Sequence, residues 1–461
     1  KDLAIRDHLH VLGRPPSREA CSALAAAIVR AAPGSDIGAM ETAIRDCARH
    51  EREALLAALD GRRVAPGPSG APTRGRRDVL PTGRNLTTID PRAVPTRTAA
   101  IVGERAADEV VRRYLQDHGE YPRSLMLDLW ASASMRTGGD DLAQALAFLG
   151  ARPKWDDGSN RVVGIEVLPI AKLERPRIDV TLRISGSFRD IFPAQIALFD
   201  LAVRLAAERD EPDAWNPLAT ARRHGASLAR IFGGEPGTYG AGAASAALDG
   251  IWGTRADLAA AYVEASSHAY GADNTERRAP KEFEDRVAAA DALVHPQDDR
   301  ERDLLDGDGV ADFAGGFAAA AARLGNTPSL YHLDTSRPEA PRARALEEEI
   351  ARVVRGRLTN PRWISGMIAH GHRGVAEIAQ GVDALYAFAA TAGVVGDQLF
   401  DAVHDAIVAD EARLATLSGL NPTAVAAIAS RLKDAIERRL WTPRRNAVHA
   451  ELARVLSGSD P

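Results

Sequence analysis

SLMLDLWASASMRTGGDDLAQALAFLG, residues 124–150, decides the fold. SLMLDLWA (124–131) is almost continuously apolar and has the length of a strand buried on both faces. A Gly-containing turn, ASMRTGGDD, follows, and then DDLAQALAFLG, a helix with Gly150 at its C-terminal cap. Asp140 and Asp141 fall in its first turn, where the helix dipole favours negative charge. Upstream, ERAADEVVRRYLQDHG (104–119) predicts a helix. Downstream, RVVGIEVLPI (161–170) and IDVTLRIS (178–185) are β-branched runs that predict strands, and DIFPAQIALFDLAVRLAAERDEP (190–212) predicts another helix. The order α-β-α-β-β-α predicts an α/β fold with a mainly parallel sheet and helices on its faces. Ligands of such sheets sit at the C-terminal ends of the strands, which points at the segments Ser132–Gly139 and Ser185–Asp190.

Outward from this core the 461 residues suffice for two to four domains, at roughly 100–200 residues each. Residues 1–60 predict helices, with SALAAAIVRAA and EREALLAALDG in helical period and Gly61 at a C-cap position. Residues 61–97 are rich in Pro, Gly and Arg; Pro and Gly block regular elements, yet irregular segments this long often serve function. Residues 98–210 form the α/β region. Residues 211–461 predict a mainly helical domain, from ADLAAAYVEA to TAVAAIASRLKDAIERRLW.

The bulk chemistry excludes several classes. Net charge is −5, so no basic excess points to nucleic acid. No apolar run of about 18 residues exists to span a membrane. The first residues, KDLAIRDHLH, lack both an initiator Met and the apolar run of a signal peptide, so the chain is expected to begin inside a longer cytoplasmic protein. Two cysteines, Cys21 and Cys47, exclude a disulfide framework. The dipeptide Gly-Lys is absent, so there is no P-loop, and any ATP is hydrolysed by another subunit. H-E-x-x-H and C-x-x-C are also absent. DLLDGDG, with Asp306 and Asp308, begins like a calcium loop but lacks the Glu at the twelfth position.

Four constellations remain. In MRTGGDD, the backbone N–H groups of Gly138 and Gly139 before a helix can hold a carboxylate, aided by Arg136; the glycines equally permit a tight turn. RISGSFRD offers Arg183, Ser185 and Arg189 for bidentate carboxylate recognition, or an Arg189–Asp190 structural pair. RIFGGEPGTYGAG carries Tyr239 on a glycine loop able to close over a flat ligand, or simply to connect helices. HGHRG places His370 and His372 near each other, and neutral imidazole suits divalent cobalt. His268, His295 and His332 stand alone and read as structural.

With those pieces in place, the chain resembles the large subunit of aerobic-pathway cobaltochelatase (the CobN family) and, more distantly, that of magnesium chelatase. The resemblance rests on PGPSGAPTRGRRDVLPTGRN (66–85), GEYPRS (119–124), MRTGGDDLAQALAFLGARP (135–153), PRIDVTLRISGSFRDIFP (176–193), ARIFGGEPGTYGAG (229–242), QDDRERDLLD (297–306), NPRWISGMIAHGHRG (360–374) and LWTPRRN (440–446), in family order. It implies that 61–97 is ordered and close to the ligand. It further implies binding of a corrin precursor, hydrogenobyrinic acid a,c-diamide, and insertion of Co²⁺, driven by ATP hydrolysis with Mg²⁺ in two AAA+-related partner subunits. On this resemblance Glu120, Asp140, His370 and His372 are candidate bases, with His370 and His372 also candidate metal ligands. Arg84, Arg136, Arg183, Arg189 and Tyr239 are candidate ring-side-chain donors, and Trp130 and Trp252 candidate ring-face contacts. The sequence departs from the family pattern at Ser266, Ser267, His268, Arg302, Val310, Ala311, Ala314 and His372. Those departures keep a magnesium enzyme, or a non-catalytic tetrapyrrole-binding scaffold, open as alternatives.

Overall fold

The computed structural model describes residues 12–31, 34–74, 76–87, 89–272, 275–299, 302–307 and 309–458. The opening residues weighed against a signal peptide, and Asp308 of the acidic run, lie outside them. The chain begins with two helices, α1 (Arg18–Ala31) and α2 (Ile37–Leu59), the second started by the Asp36 carboxylate accepting from Ala39 N–H at 2.7 Å. A two-stranded ribbon, β1 (Gly67–Pro68) and β2 (Asn85–Thr87), lies within the connector. Next come α3 (Arg97–His118), β3 (Ser124–Leu129), α4 (Ala131–Thr137), α5 (Asp140–Leu149), β4 (Ala151–Trp155), β5 (Val162–Val167), α6 (Ile170–Leu173), β6 (Asp179–Ile184), α7 (Gly186–Ile191) and α8 (Pro193–Ala207). They are followed by α9 (Pro217–Arg223), β7 (Ile231–Gly233), α10 (Ala243–Leu248), α11 (Arg255–Glu264), β8 (His268–Tyr270), β9 (Glu276–Arg278), α12 (Pro280–Ala288) and β10 (Ala292–Gln297). A π-turn (Ala311–Gly315) leads into α13 (Gly316–Arg323), then β11 (Ser329–Asp334) and β12 (Arg342–Ala345). The remainder is helical: α14 (Leu346–Gly356), α15 (Pro361–Ala369), α16 (Gly371–Thr391), α17 (Asp397–Ile407), α18 (Glu411–Leu420), α19 (Pro422–Glu437) and α20 (Ala447–Ser457).

One eight-stranded sheet, in the order β12-β11-β10-β3-β6-β7-β8-β9, organises these elements. Its central pairings, from β11 through β7, are parallel; β12, β8 and β9 are antiparallel at the edges. The sheet separates two apolar cores. Leu125, Leu127 and Leu129 of β3 share a core with α3, α5 and α8, whereas Met126 packs with the C-terminal helices. Both faces are covered, which is why β3 and β6 are buried at every position and read as unbroken apolar runs.

The α/β class with a helical C-terminal region is as expected, but the boundary at 210 falls inside the sheet. Six of its eight strands, β7 to β12, come from the segment read as mainly helical. Three of them have three residues each, too short to carry a period-2 signal, and β10 and β11 are interrupted by His295 and His332. RVVGIEV forms a strand, yet outside the main sheet, as a hairpin of β5 with β4. The two segments singled out after β3 and β6 are short helices rather than loops.

Candidate functional site

The site is built where β3, β6, β10 and β11 end. Beyond β3, α4 and α5 meet at Gly138 and Gly139, with φ of +78° and +93°, a left-handed pair that only glycine adopts cheaply. A Cβ on Gly139 would lie 2.5 Å from Val94 Cγ1, so the connector is pressed directly onto this turn. The connector is tied down across the strand ends: Thr96 N–H donates to Gly138 O (2.9 Å), Ala71 N–H to Arg136 O (3.2 Å), and Gln195 Nε2 to Val94 O (3.1 Å). Arg74 reaches furthest, pairing with Asp140 and donating to Thr335 O just past β11.

On the α3/α5 side of the sheet this produces a buried acidic cluster. Asp140, Asp141 and Asp298 face a cavity whose free volume, about 10 Å³, has room for one water molecule. Arg136 holds Asp298 bidentately at 2.6 and 2.7 Å, and Ser134 Oγ donates to Asp141 at 2.9 Å. Three carboxylates therefore face two guanidiniums. Burial pushes the Asp140 carboxyl up to about 8, against the pull of Arg74, with Asp141 and Asp298 adding to the rise. Burial also raises Asp141, to about 6, while its Ser134 hydrogen bond opposes the shift. Asp140 Oδ1 and Gln144 Nε2 find no partner among the described residues.

On the opposite face, at the same end of the strands, a row of polar side chains crosses five strands. Register places Arg344 beside His332, His332 beside His295, and Asp128 beside Arg183. His295 Nδ1 hydrogen-bonds Asp128 Oδ2 at 3.2 Å, closing the row. The two imidazoles are 6.3 Å apart between centroids, and the Trp130 ring stands edge-on to His295 at 6.4 Å. Glu349 Oε1 of α14 is 3.9 Å from His332 Nδ1. Burial lowers the His332 imidazole to about 4, though Glu349 pulls it upward. Asp128 Oδ1, Trp130 Nε1 and both His332 nitrogens have no hydrogen-bond partner among the described residues. Sequence reading missed this row because each His stands alone along the chain. The available signal was a single polar residue at matching depth in otherwise apolar strands (LMLDL, ALVHP, LYHLD).

Beyond β6, α7 begins with the Ser185 hydroxyl accepting from Phe188 N–H at 3.2 Å. Arg189 donates to Asp190 Oδ1 (2.8 Å) and Glu235 O (2.7 Å) and lies under the Tyr239 ring (5.7 Å), its buried Nη2 making no hydrogen bond among the described residues. Tyr239 is two-thirds exposed, its hydroxyl donating to Asp190 Oδ2 at 2.8 Å. Gly186 permits this contact, since a Cβ there would lie 2.5 Å from Thr238 O.

The other sequence candidates separate from this edge. Glu120 is exposed before β3 begins, at the far end of the sheet. Arg183 is fully buried and uses four of its five N–H groups on Ser266 Oγ (2.8 Å) and the carbonyls of Ile184, Gly240 and Ala265, so it braces the glycine loop from within the core. Ser266, one of the divergent positions, is thus its anchor. Arg84 is exposed on the β1–β2 ribbon. Trp252 packs under Arg438 at 4.4 Å. His370 and His372 are exposed where α15 meets α16, and no group of three His, Cys, Asp or Glu side chains among the described residues is arranged to hold a metal ion.

The CobN/Magnesium Chelatase family model matches residues 36–448. The chain belongs to this family. It is 50% identical over 438 residues to the aerobic cobaltochelatase protein CobN of Sinorhizobium, covering 90% of the chain and 34% of that protein. The CobN of Pseudomonas aeruginosa is 47% identical, over 86% of the chain and 33% of the relative. A magnesium-chelatase subunit of Rhodobacter capsulatus is more distant, at 34% over 95% of the chain and 37% of the relative. The chain thus spans about a third of the length of these curated relatives. The solved catalytic subunit of cobaltochelatase from Mycobacterium tuberculosis superposes with a TM-score of 0.88 at 36% identity, over 98% of the chain and 45% of that subunit. Within the family fold, the divergent Ala314 is fully buried in the π-turn beside Phe313, and Phe313 packs on Trp130 at 4.3 Å.

Proposed function

We propose that this chain is the tetrapyrrole-binding catalytic part of a cobaltochelatase, inserting Co²⁺ into a corrin precursor, hydrogenobyrinic acid a,c-diamide, with ATP and Mg²⁺ used by AAA+-type partner subunits in the cytoplasm. The observation that carries this reading is the 50% identity to CobN, against 34% to the magnesium enzyme. The groups at the strand ends suit the chemistry such a reaction needs. Tyr239 offers an exposed aromatic face to a flat ring, and the buried Arg189 beneath it braces that loop through Asp190 and the carbonyls of Gly234, Glu235 and Thr238. Ser185 caps α7 at the same edge, whereas the N–H groups of Gly138 and Gly139 already donate to Ser134 O (3.0 Å) and Thr137 Oγ1 (3.1 Å), so these glycines shape the turn instead of holding a carboxylate, and Arg136, bound to Asp298, fixes it. Asp140 and Asp141, on the other face of the sheet, are paired to Arg74 and Ser134 and hold the glycine turn and the connector at this edge.

The test is an absorbance titration of the full-length subunit with hydrogenobyrinic acid a,c-diamide, followed by Co²⁺, Mg-ATP and the partner ATPases. Saturable binding followed by an ATP-dependent cobalt-corrin spectrum is expected. Binding without insertion supports a scaffold instead, and insertion of Mg²⁺ into a porphyrin in its place supports the magnesium enzyme.

A further inference from the structure

We propose that His295, held by Asp128, is the general base that removes the ring N–H protons, and that His332 and Glu349 carry those protons to the sheet edge. This deepens the chelatase reading and rests on it. Replacing two N–H protons by one divalent cation requires a base that acts twice, so it must be reset in between. Asp128 Oδ2 accepts from Nδ1–H of His295 at 3.2 Å, which leaves the Nε2 lone pair as the basic position; Nε2 makes no hydrogen bond among the described residues. That carboxylate also stabilises the imidazolium formed when Nε2 takes a proton, the arrangement by which a carboxylate fixes tautomer and orientation in other imidazole bases.

The step balances. A ring N–H bond breaks, its electron pair stays on the ring nitrogen, and the proton forms Nε2–H on His295. The proton then passes to His332, whose ring centroid is 6.3 Å away, through one bridging water. His332 is neutral at physiological pH, so it can accept on one nitrogen and release from the other without storing charge. Glu349, 3.9 Å away, takes the proton only in passing, because, against its burial, Arg352, His332 and Arg344 hold its carboxyl below the usual range; it releases the proton to bulk water beside the partly exposed Arg352 and is reset for the second. The second ring proton follows the same path, and Co²⁺ takes up the two electron pairs.

Every element packed on the row contributes a group that faces it: Arg183 from β6, Asp334 from β11, Arg344 from β12, Glu349 and Arg352 from α14, Asp312 from the π-turn and Tyr262 from α11. Trp130, half-buried at the end of β3, borders His295 on the side where the strands end. Asp128 Oδ1 and both His332 nitrogens have no hydrogen-bond partner among the described residues and so have capacity left for a bridging water.

The experiment compares His295→Gln, Asp128→Asn and His332→Gln in the full-length subunit, assembled with its ATPases. Ring binding is followed by absorbance and insertion rate is measured from pH 6 to 9. His295→Gln is expected to bind the ring within about threefold of the parent while insertion falls by ~10²–10⁴-fold. Asp128→Asn and His332→Gln lose less and shift the acidic limb of the pH profile. Should His295→Gln fold poorly, His295→Ala with added imidazole provides a second reading, in which partial rescue of insertion supports the base and no rescue in a ring-binding variant overturns it. Insertion by His295→Gln at the parental rate, with the parental pH profile, also overturns the base assignment alone. Failure of the parent itself to bind the ring overturns the chelatase reading, and this proposal with it.

Discussion

The two ends of the central strands carry buried polar layers that differ in one respect. At the N-terminal end, Asp179 of β6 is held by Arg230 at 2.6 and 3.0 Å and by Arg286 at 2.9 Å, and Arg286 goes on to Thr181 Oγ1 and Ser124 Oγ. Every charge there has a partner within the chain. At the C-terminal end, Asp128, Trp130 and His332 keep buried polar atoms with no partner among the described residues. A closed network holds strands together, whereas an open one costs stability and is kept where something outside the chain completes it. The difference is the physical ground for proposing the C-terminal end as the site.

The largest expected effect tests the closed end. Asp179→Leu strands two buried guanidiniums and should cost about 3–5 kcal/mol, read as a fall in the urea midpoint. A loss below about 1 kcal/mol would break the comparison. Burial opposes ionisation of Asp179, but Arg230 and Arg286 hold it below the usual carboxylate range. Its contribution is therefore present above about pH 4 and is lost as pH falls through the lowered value.

Next is the packing that carries the site. A Cβ on Gly103 of α3 would sit 2.5 Å from Gln144 N of α5, so Gly103→Ala should cost about 1–3 kcal/mol in a thermal melt. Asp140 sharpens the comparison through pH. Its carboxyl is raised from about 4 to about 8 on folding, so the stability it lends is full below about pH 4 and is lost as pH rises to about 8. Asp140→Asn should flatten that slope, by at most ~1.4 kcal/mol per pH unit.

At the open end the sign is inverted. His332→Leu removes an imidazole with no hydrogen bond among the described residues, so stability at pH 7 should change by less than about 1 kcal/mol while insertion is impaired. The parental loss of stability as pH falls from about 6.5 towards 4 should diminish in the same variant, because the lowered imidazole makes folding resist protonation over that window. The smallest effect is at His370 and His372. Both are exposed, and their Ala variants should stay within about 0.5 kcal/mol of the parent with unchanged cobalt uptake.

The sequence by itself determined the α/β class, the positions of β3 and β6, the glycine turn at 138–139 and, through motifs in family order, the family. These are local signals: an apolar run of strand length, a glycine pair before a helix, a string of residues in order. Tertiary structure alone decided the extent of the sheet, because strands of three residues form only when a neighbour supplies their hydrogen bonds. It also removed candidates that looked alike in sequence. Arg183 and Arg189 share one short motif, yet one is fully buried in the core against Ser266 and three carbonyls, and the other lies beneath the exposed Tyr239 ring. It joined Asp128, His295 and His332, the first and last 204 positions apart, through parallel register. Parallel strands meet only after long crossovers, so which side chains stand side by side is fixed by how the crossovers pack and not by any spacing along the chain.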